Sequence, residues 1–370
     1  MRNLQPPTNT AKRWVLVLIV LSVAIIAVLA TLVQLWRTGR HDTRSLDLIT
    51  GGPVVLQSNR LWIDTDAACG ARPMTDPDDC FAIAWLVGNG HNVVGISTSF
   101  GNANGDVVFH TTEALAAKIA EVGHGMIPVW RGWAAPVADA ESTVPPSRAA
   151  LRTALDDGPL TILALGPLTN VADALGSEPT RQRNLTRLVA VMGHEPGHLF
   201  HPSEASGRGM LMGHGPIFRD LNFSMDEAAA QSILQMHLPL TLIPYDASIH
   251  AGITATDLDK LALQSPALRW TAGTAKGWLR FWQHDIGQTG FYPFDWVAAA
   301  YVAEPRLFNC AETNVWIARE WAFWIYPRES LLVGPASGSE ENANAIYCHK
   351  TATSLHEYLM RDNSNRSLSK

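Results

Sequence analysis

Five aspartates within sixteen positions of one another are the side chains best placed for chemistry: Asp64, Asp66, Asp76, Asp78 and Asp79. Carboxylates gathered at one point repel each other, and they stay ionised only with a cation or hydrogen-bond donors between them. A hard divalent ion with oxygen ligands is the natural neutraliser, and calcium tolerates irregular sets of such ligands best. The alternative is that Asp76 and Asp78 only cap a helix while the other acids are solvated.

Two predicted elements must position these acids. Asp64 and Asp66 end the run RLWIDTD at residues 60–66, which is typical of a buried strand that carries polar groups at its carboxyl end. Asp78 and Asp79 precede the run CFAIAWLV at residues 80–87, which predicts a helix. A helix N-terminus favours nearby negative charge but cannot satisfy all five acids. The sequence therefore predicts a strand end and a helix start that meet around a cation.

Strands and helices alternate along much of the chain. The predicted strands are residues 60–66, 93–99, 160–165, 188–192 and 240–244, and the predicted helices are residues 80–87, 111–122, 170–175 and 225–236. Such alternation indicates right-handed βαβ units, and ligands of these folds bind beyond the carboxyl ends of the strands. We therefore predict an α/β protein with an open, mostly parallel Rossmann-like sheet flanked by helices.

The N-terminal region predicts a membrane anchor. Residues 14–36 hold no charged side chain, and at ~1.5 Å per residue they are long enough to cross a hydrocarbon core of ~30 Å. Trp14 and Trp36 lie at the two ends, where amphipathic rings settle at the interface. The alternative is a signal peptide cleaved after Ala30, although signal cores are usually shorter. We predict a single-pass membrane protein whose soluble part, after about residue 50, is extracytoplasmic.

The predicted organisation is a tail at residues 1–13, an anchor at 14–36, a linker at 37–58, one domain at 59–361 and a flexible tail at 362–370.

The charge and the cysteines limit the partners and metals that this chain could bind. A net charge of −6 with no basic cluster argues against nucleic acid as a partner. The four cysteines form no CxxC pair, which gives no support to structural zinc. Cys310 and Cys348 either form a disulfide or are separate buried thiols.

Five blocks of sequence follow one another along the chain: IDTD with DPDD, GISTSFGN at residues 95–102, LALGPLTN at 163–170, DLNFSMDE at 220–227 and PFDWVAAAY at 293–301. In this order they resemble the inosine-uridine preferring nucleoside hydrolase family. The resemblance implies an open α/β fold, one Ca²⁺ ion, and hydrolysis of the N-glycosidic bond of a nucleoside or related N-riboside to base and ribose. It also implies a possible homo-oligomer.

The same resemblance implies roles for single residues. Asp66 matches an acid that binds calcium and accepts a proton from the attacking water, and Asp64 matches a supporting acid. Asp79 and Asp295 match metal ligands, and Leu165 matches the residue whose backbone carbonyl reaches the metal. The positions that match sugar contacts are Asp78, Asn102, Met192, His214, Asp220 and Asn222.

The chain departs from the family pattern at the leaving-group side. Phe294 stands where many members have a histidine that protonates the leaving base, and residues 67–77 expand the link between the acids. We predict that His284, which follows Trp278 and Trp282, replaces this acid.

Other histidines are open alternatives for that acid: His194, His198 and His214. The chain also departs from the family pattern at two sugar-contact positions, with His214 in place of an asparagine and Asp220 in place of a glutamate. In the expanded link, Asp76 is an alternative to Asp66 as a metal ligand. Three functions remain in view. The first is an active calcium-dependent N-ribohydrolase, and the second is a non-catalytic, membrane-tethered protein that binds nucleoside or ribose. The third is hydrolysis of a nucleoside-like compound or a modified sugar amide.

Overall fold

The computed structural model describes residues 9–38, 59–121, 123, 125–139, 143–196, 220–322, 326–335 and 343–361. These residues fall into two compact units that divide after Ser45. Residues 39–58 of the predicted linker, the predicted tail at 362–370, His198 and His214 lie outside the described residues.

The first unit is helix α1, Asn9–Thr38. Its side chains are described for residues 13–29, and all of them are exposed, including Trp14 at 67%. Within the described part of the chain, no helix meets the length and apolarity that crossing a membrane requires. The membrane span predicted at residues 14–36 is therefore not confirmed.

The second unit is built on a nine-stranded sheet with the order β3-β2-β1-β4-β5-β6-β9-β7-β8. The strands are β1 Arg60–Thr65, β2 Asn92–Thr98, β3 Val129–Arg131, β4 Leu160–Ala164, β5 Leu185–Ala190, β6 Leu240–Leu242, β7 Phe308–Ala322, β8 Tyr326–Gly334 and β9 Ala343–Thr351. The pairs from β3 to β6 and the β6–β9 pair are parallel. This confirms the predicted mostly parallel α/β sheet.

Helices cover both faces of this sheet. They are α2 Asp78–Gly88, α3 Gly105–Ala120, α4 Pro146–Asp156, α5 Thr169–Leu175, α6 Pro179–Asn184, α7 Leu221–Met225, α8 Glu227–Gln235, α9 Ala255–Leu261, α10 Pro266–Thr274, α11 Lys276–Phe281, α12 Phe294–Ala303 and α13 Leu355–Met360. Because successive strand residues point to opposite faces, Trp62 packs into one apolar core while Leu61 and Ile63 pack into the other. The sheet is thus buried on both sides, as a parallel sheet requires.

The C-terminal part of the sheet is antiparallel, which the sequence pattern did not predict. Strand β7 pairs antiparallel with both β8 and β9, and Cys310 and Cys348 are paired residues of β7 and β9 that form a disulfide. Of the two alternatives for these cysteines, the structure has the disulfide. The helix predicted at residues 225–236 is not continuous in the structure. Helix α7 ends before Asp226, and the Asp226 side chain caps the start of α8.

Candidate active site

The parallel register brings the carboxyl ends of three strands to one edge. Asp64 of β1 is level with Ser97 of β2 and Ala164 of β4. The chain continues beyond this level as Asp66 and Leu165, and the Leu165 N–H donates to the Asp64 carbonyl at 2.8 Å. The predicted acid and the predicted carbonyl ligand therefore leave the sheet from neighbouring strands.

Two helices begin over this edge, and each has an acid in its first turn. Helix α2 contributes Asp78 and Asp79, and helix α12 contributes Asp295. The Asp295 N–H donates to Asp78 Oδ2 at 3.0 Å, which ties the two helix starts together. One carboxylate oxygen from each of these three acids lies within 4.8 Å of the others, and all three side chains are buried.

Asp66 reaches the same cluster from the strand side. The Asn102 N–H donates to Asp66 Oδ2 at 2.9 Å, and the Asn102 amide donates at 3.2 Å to both Asp66 Oδ1 and Asp79 Oδ2. Gly101 makes this approach possible, because a Cβ there would lie 1.8 Å from Asp66 Oδ2 and the residue has φ +150°. One asparagine therefore bridges two acids from different elements.

Electrostatics show that the cluster is short of positive charge. Burial, then repulsion from Asp79, raises the pKa of Asp66 well above its usual value. Burial and the neighbouring carboxylates likewise raise the pKa of Asp295 and of Asp76, and the pKa of Asp79 rises to about 7. Acids in such a position release their protons when a cation binds among them. The oxygen-only donor set and the packing of these carboxylates fit a hard divalent ion.

Asp64 plays a supporting part behind this cluster. It is fully buried, accepts hydrogen bonds from Ser97 and from the Asn170 amide, the latter at 2.8 Å, and its pKa is raised by burial to about 7. Asn170 also donates to the Thr98 carbonyl at 3.0 Å and accepts from the Trp133 N–H at 2.9 Å. The sequence reasoning did not single out Asn170, although it ends the block LALGPLTN.

Above the acids lies a cavity of about 630 Å³. The predicted sugar contacts among the described residues all line it, namely Asp78, Asn102, Met192, Asp220 and Asn222. Asp220 accepts hydrogen bonds from the Gly193 N–H at 2.6 Å and the Phe223 N–H at 3.1 Å. Asn222 donates to the carbonyls of Leu165 at 2.8 Å and Val191 at 2.9 Å.

Aromatic and apolar side chains make another part of the cavity wall: Tyr245, Trp278, Phe281, Trp282, Ile286 and Phe294. Trp278 stacks on Phe281 with ring centroids 5.2 Å apart and meets Trp282 edge-on at 6.2 Å. An apolar, ring-lined surface of this size suits the flat face of a nucleobase. Residues 72–76 of the expanded link also line the cavity, which sequence reasoning did not foresee.

Of the histidines considered as the leaving-group acid, His284 and His194 are described by the structure, and neither lines the main cavity. His284 is exposed in a short π-helical segment, Trp282–Ile286, and does not line the cavity. His194 is buried, and its Nε2 pairs with a Glu320 carboxylate oxygen at 2.8 Å beside a second, smaller cavity. No histidine occurs among the described residues that line the main cavity. The roles predicted for individual site residues stay predictions.

The fold and the acidic cluster define an α/β protein with a candidate metal site at its strand ends, below a ring-lined cavity. A family model described as inosine-uridine preferring nucleoside hydrolase matches residues 61–347. The chain therefore belongs to this family.

Curated relatives match over shorter stretches. The pyrimidine-specific ribonucleoside hydrolase RihA of Enterobacter sp. (strain 638) is 26% identical over 168 residues, which cover 44% of this chain and 48% of that protein. The non-specific ribonucleoside hydrolase RihC of Salmonella schwarzengrund is 27% identical over 151 residues, 41% of this chain and 43% of the relative. The chain spans about half the length of the curated relatives that it matches.

Solved structures match over most of the chain. A plant nucleoside hydrolase, the PpNRh1 enzyme, has a TM-score of 0.66 at 16% identity and covers 82% of this chain and 98% of its own. The purine-preferring ribonucleoside hydrolase from Gardnerella vaginalis has a TM-score of 0.63 at 17% identity, over 81% and 96% of the two chains. At these identities the likeness concerns the fold.

Proposed function

We propose that this protein hydrolyses the N-glycosidic bond of ribonucleosides or related N-ribosides, with Ca²⁺ as its cofactor. The observation that carries the proposal is a group of buried aspartates, two of which, Asp78 and Asp295, line the floor of a cavity whose wall also carries aromatic rings. A charged floor and a ring-lined wall match the two halves of a nucleoside, its polar sugar and its flat base.

The residues of the floor would hold the cofactor and direct the nucleophile. Asp66, Asp79 and Asp295, together with the Leu165 carbonyl, are the oxygen donors that would hold the ion. A divalent cation held there supplies Lewis-acid activation of water. Asp66 accepts the proton of the attacking water, and the two donors of Asn102 fix the orientation of its carboxylate.

The sugar lies over the same carboxylates. Asp78, Asp220 and Asn222 line the cavity where they would accept and donate hydrogen bonds to the ribose hydroxyls, and buried Met192 would pack under the ring. As the C–N bond breaks, the ribose takes on positive charge, which the surrounding acids stabilise. Remote contacts between the aromatic wall and the base hold the reacting bond in place.

A second candidate function is a non-catalytic nucleoside- or ribose-binding protein. Phe294 cannot donate a proton, and among the described lining residues no histidine takes over that task. Such a protein would keep the ion and the sugar contacts and would bind nucleosides without turnover.

One experiment separates the two functions. The purified full-length chain is incubated with uridine, cytidine, inosine or adenosine, in Ca²⁺ and then in a chelator, and free ribose is measured. The proposal expects ribose release that needs Ca²⁺, is lost in Asp66→Asn and is kept in Asp285→Asn, an exposed aspartate outside the cavity. Saturable nucleoside binding without ribose release would favour the binding protein instead.

We also propose that residues 14–36 anchor the chain in a membrane and that the catalytic domain is extracytoplasmic. The support is the absence of charge in this stretch, the exposed apolar side chains of α1 and the two disulfides of the domain, which are typical of oxidising compartments. The test is alkaline extraction of membranes, after which the anchored chain stays in the pellet. Recovery in the supernatant would contradict the anchor. Homo-oligomerisation stays a prediction from the family resemblance.

A further inference from the structure

The expanded link between the acids is closed into a loop by a second disulfide. Cys69 and Cys80 are bonded, and both are buried. We call residues 69–80 the disulfide loop. Cys69 lies three residues after Asp66, and Cys80 directly follows Asp79. The cross-link therefore fixes the loop to the two chain segments that carry the floor of the cavity.

The loop also packs tightly against helices α10 and α11. The Pro73 carbonyl lies so close to Gly277 that a Cβ there would be 1.6 Å from the oxygen. A Cβ added at Gly70, which has φ +76°, would likewise lie only 2.6 Å from Thr274 Cγ2. Helix α11 carries Trp278 and Phe281, so the loop is seated beside the aromatic wall.

The loop places one cation in the cavity wall. Arg72 is the only basic residue among the described residues that line the cavity, and it is exposed. Its backbone is held in a turn, because the Arg72 N–H donates to Thr75 Oγ1 at 3.1 Å and the Thr75 N–H donates to the Arg72 carbonyl at 3.2 Å. Within the described chain no hydrogen bond or ion pair engages its guanidinium. A guanidinium stays charged at any pH that the fold tolerates.

We propose that Arg72 activates the leaving base by electrostatic stabilisation, in place of the proton donor that Phe294 cannot supply, and that the Cys69–Cys80 disulfide is the positioning element that holds Arg72 at the cavity. This inference rests on the proposed function and deepens it. When the C–N bond breaks, its electron pair passes to the base nitrogen, and the water oxygen bonds to the sugar carbon. The water proton passes to Asp66. The base leaves with negative charge on its ring and exocyclic oxygens, is stabilised by the guanidinium and takes a proton from solvent.

The test compares two leaving groups. A nucleoside such as uridine or inosine needs its base stabilised, whereas p-nitrophenyl riboside releases a good leaving group without help. Arg72→Gln should lower kcat for the nucleosides by ~10²-fold, as loss of one charge-stabilising donor does elsewhere, and should change p-nitrophenyl riboside turnover by less than about threefold. Arg72→Lys, which keeps the charge, should restore part of the nucleoside rate.

The disulfide is tested against the second disulfide of the chain. Cys69→Ala/Cys80→Ala should show the same pattern as Arg72→Gln, with nucleoside turnover reduced far more than p-nitrophenyl riboside turnover. Cys310→Ala/Cys348→Ala removes a disulfide between β7 and β9, away from the cavity lining, and should change the ratio of the two rates by less than about twofold.

The outcomes separate the two levels of the proposal. If the unmodified protein cleaves neither class of substrate, the proposed function and this inference both fail. If it cleaves both and Arg72→Gln lowers both rates equally, or neither, only the assignment of Arg72 fails. A nucleoside-selective loss in His284→Gln with none in Arg72→Gln would return the role to the exposed histidine.

Discussion

The two ends of the cavity are built in different ways. The acid floor consists of strand ends and helix starts, where the backbone itself fixes each carboxylate, and every acid there is buried or nearly so. The aromatic end consists of the short helix α11, a π-helical segment and a disulfide-closed loop. Its side chains are held by contacts between distant segments, such as Pro73 against Gly277.

Because the two ends are built separately, substitutions can alter the binding of the base at the aromatic end without altering the catalytic acids of the floor. Moving a floor acid disturbs a helix N-terminus or a strand of the core, so the floor tolerates little change. The aromatic end can exchange side chains without altering the sheet. We therefore expect substitutions in the floor to lower kcat or metal binding, and substitutions of the aromatic rings to raise KM. Arg72 of the disulfide loop is the exception, because its proposed role is in the departure of the base and its loss lowers kcat.

The largest effect is expected from Asp79→Ala in the floor. The change removes one of the three carboxylates whose oxygens lie within 4.8 Å of one another. Calcium binding, measured calorimetrically, should be lost, and ribose release should fall by ~10³-fold or more. Asp285→Ala, an exposed aspartate beside the aromatic end, is the matched control and should bind calcium as before. Full activity of Asp79→Ala without bound calcium would refute the proposed metal site.

Lowering the pH should weaken calcium binding next most strongly. The pKa of Asp79 is raised from 3.8 to about 7, so this carboxylate takes up a proton as the pH falls through 7. Protons and calcium then compete, and the apparent affinity should fall ~10²-fold between pH 7 and pH 5. The stability of the metal-free protein depends on pH in the opposite direction from the calcium affinity. The raised pKa stabilises the fold below about pH 4, and this contribution is lost as the pH rises towards 7.

Calorimetric titrations at pH 5, 6 and 7 check the predicted fall in calcium affinity, and thermal melts at the same pH values with and without calcium check the predicted change in stability. A calcium affinity that does not change with pH would mean that these carboxylates are not its ligands.

Four acids of the floor could be predicted from the sequence because they follow local rules, whereas Asp295 was identified only through the family resemblance. Asp64 and Asp66 end an apolar strand, Asp78 and Asp79 begin a helix, and parallel strands bring such ends together. The loop could not be predicted in the same way. Neither the Cys69–Cys80 disulfide nor the Pro73–Gly277 contact has a periodic signal, because each depends on the tertiary arrangement. The antiparallel strands β7 to β9 were missed for a similar reason, since the pattern of alternating strands and helices ends before them.

A glycine substitution tests how tightly the floor is packed. In Gly101→Ala the new methyl group would lie 1.8 Å from Asp66 Oδ2 on a backbone with φ +150°. We expect kcat to fall about tenfold to a hundredfold, because Asp66 must move from its Asn102 donors. Gly273→Ala is the control, since its Cβ would meet nothing within 4 Å and the residue lies in helix α10. That variant should keep its activity and gain about 0.5–1 kcal/mol of stability. Equal kinetics for the two variants would show that the floor is looser than this packing implies.

The smallest effect is expected at the aromatic end. Phe281 is half-buried, lines the cavity and stacks on Trp278. Phe281→Ala removes part of the apolar surface for the base, which at ~1 kcal/mol should raise KM about fivefold while kcat stays within about twofold. Phe109→Ala is the matched control, because this residue is also half-buried but does not line the cavity. Steady-state kinetics with one nucleoside suffice. A fall in kcat at constant KM in Phe281→Ala would remove the distinction between a catalytic floor and a binding wall.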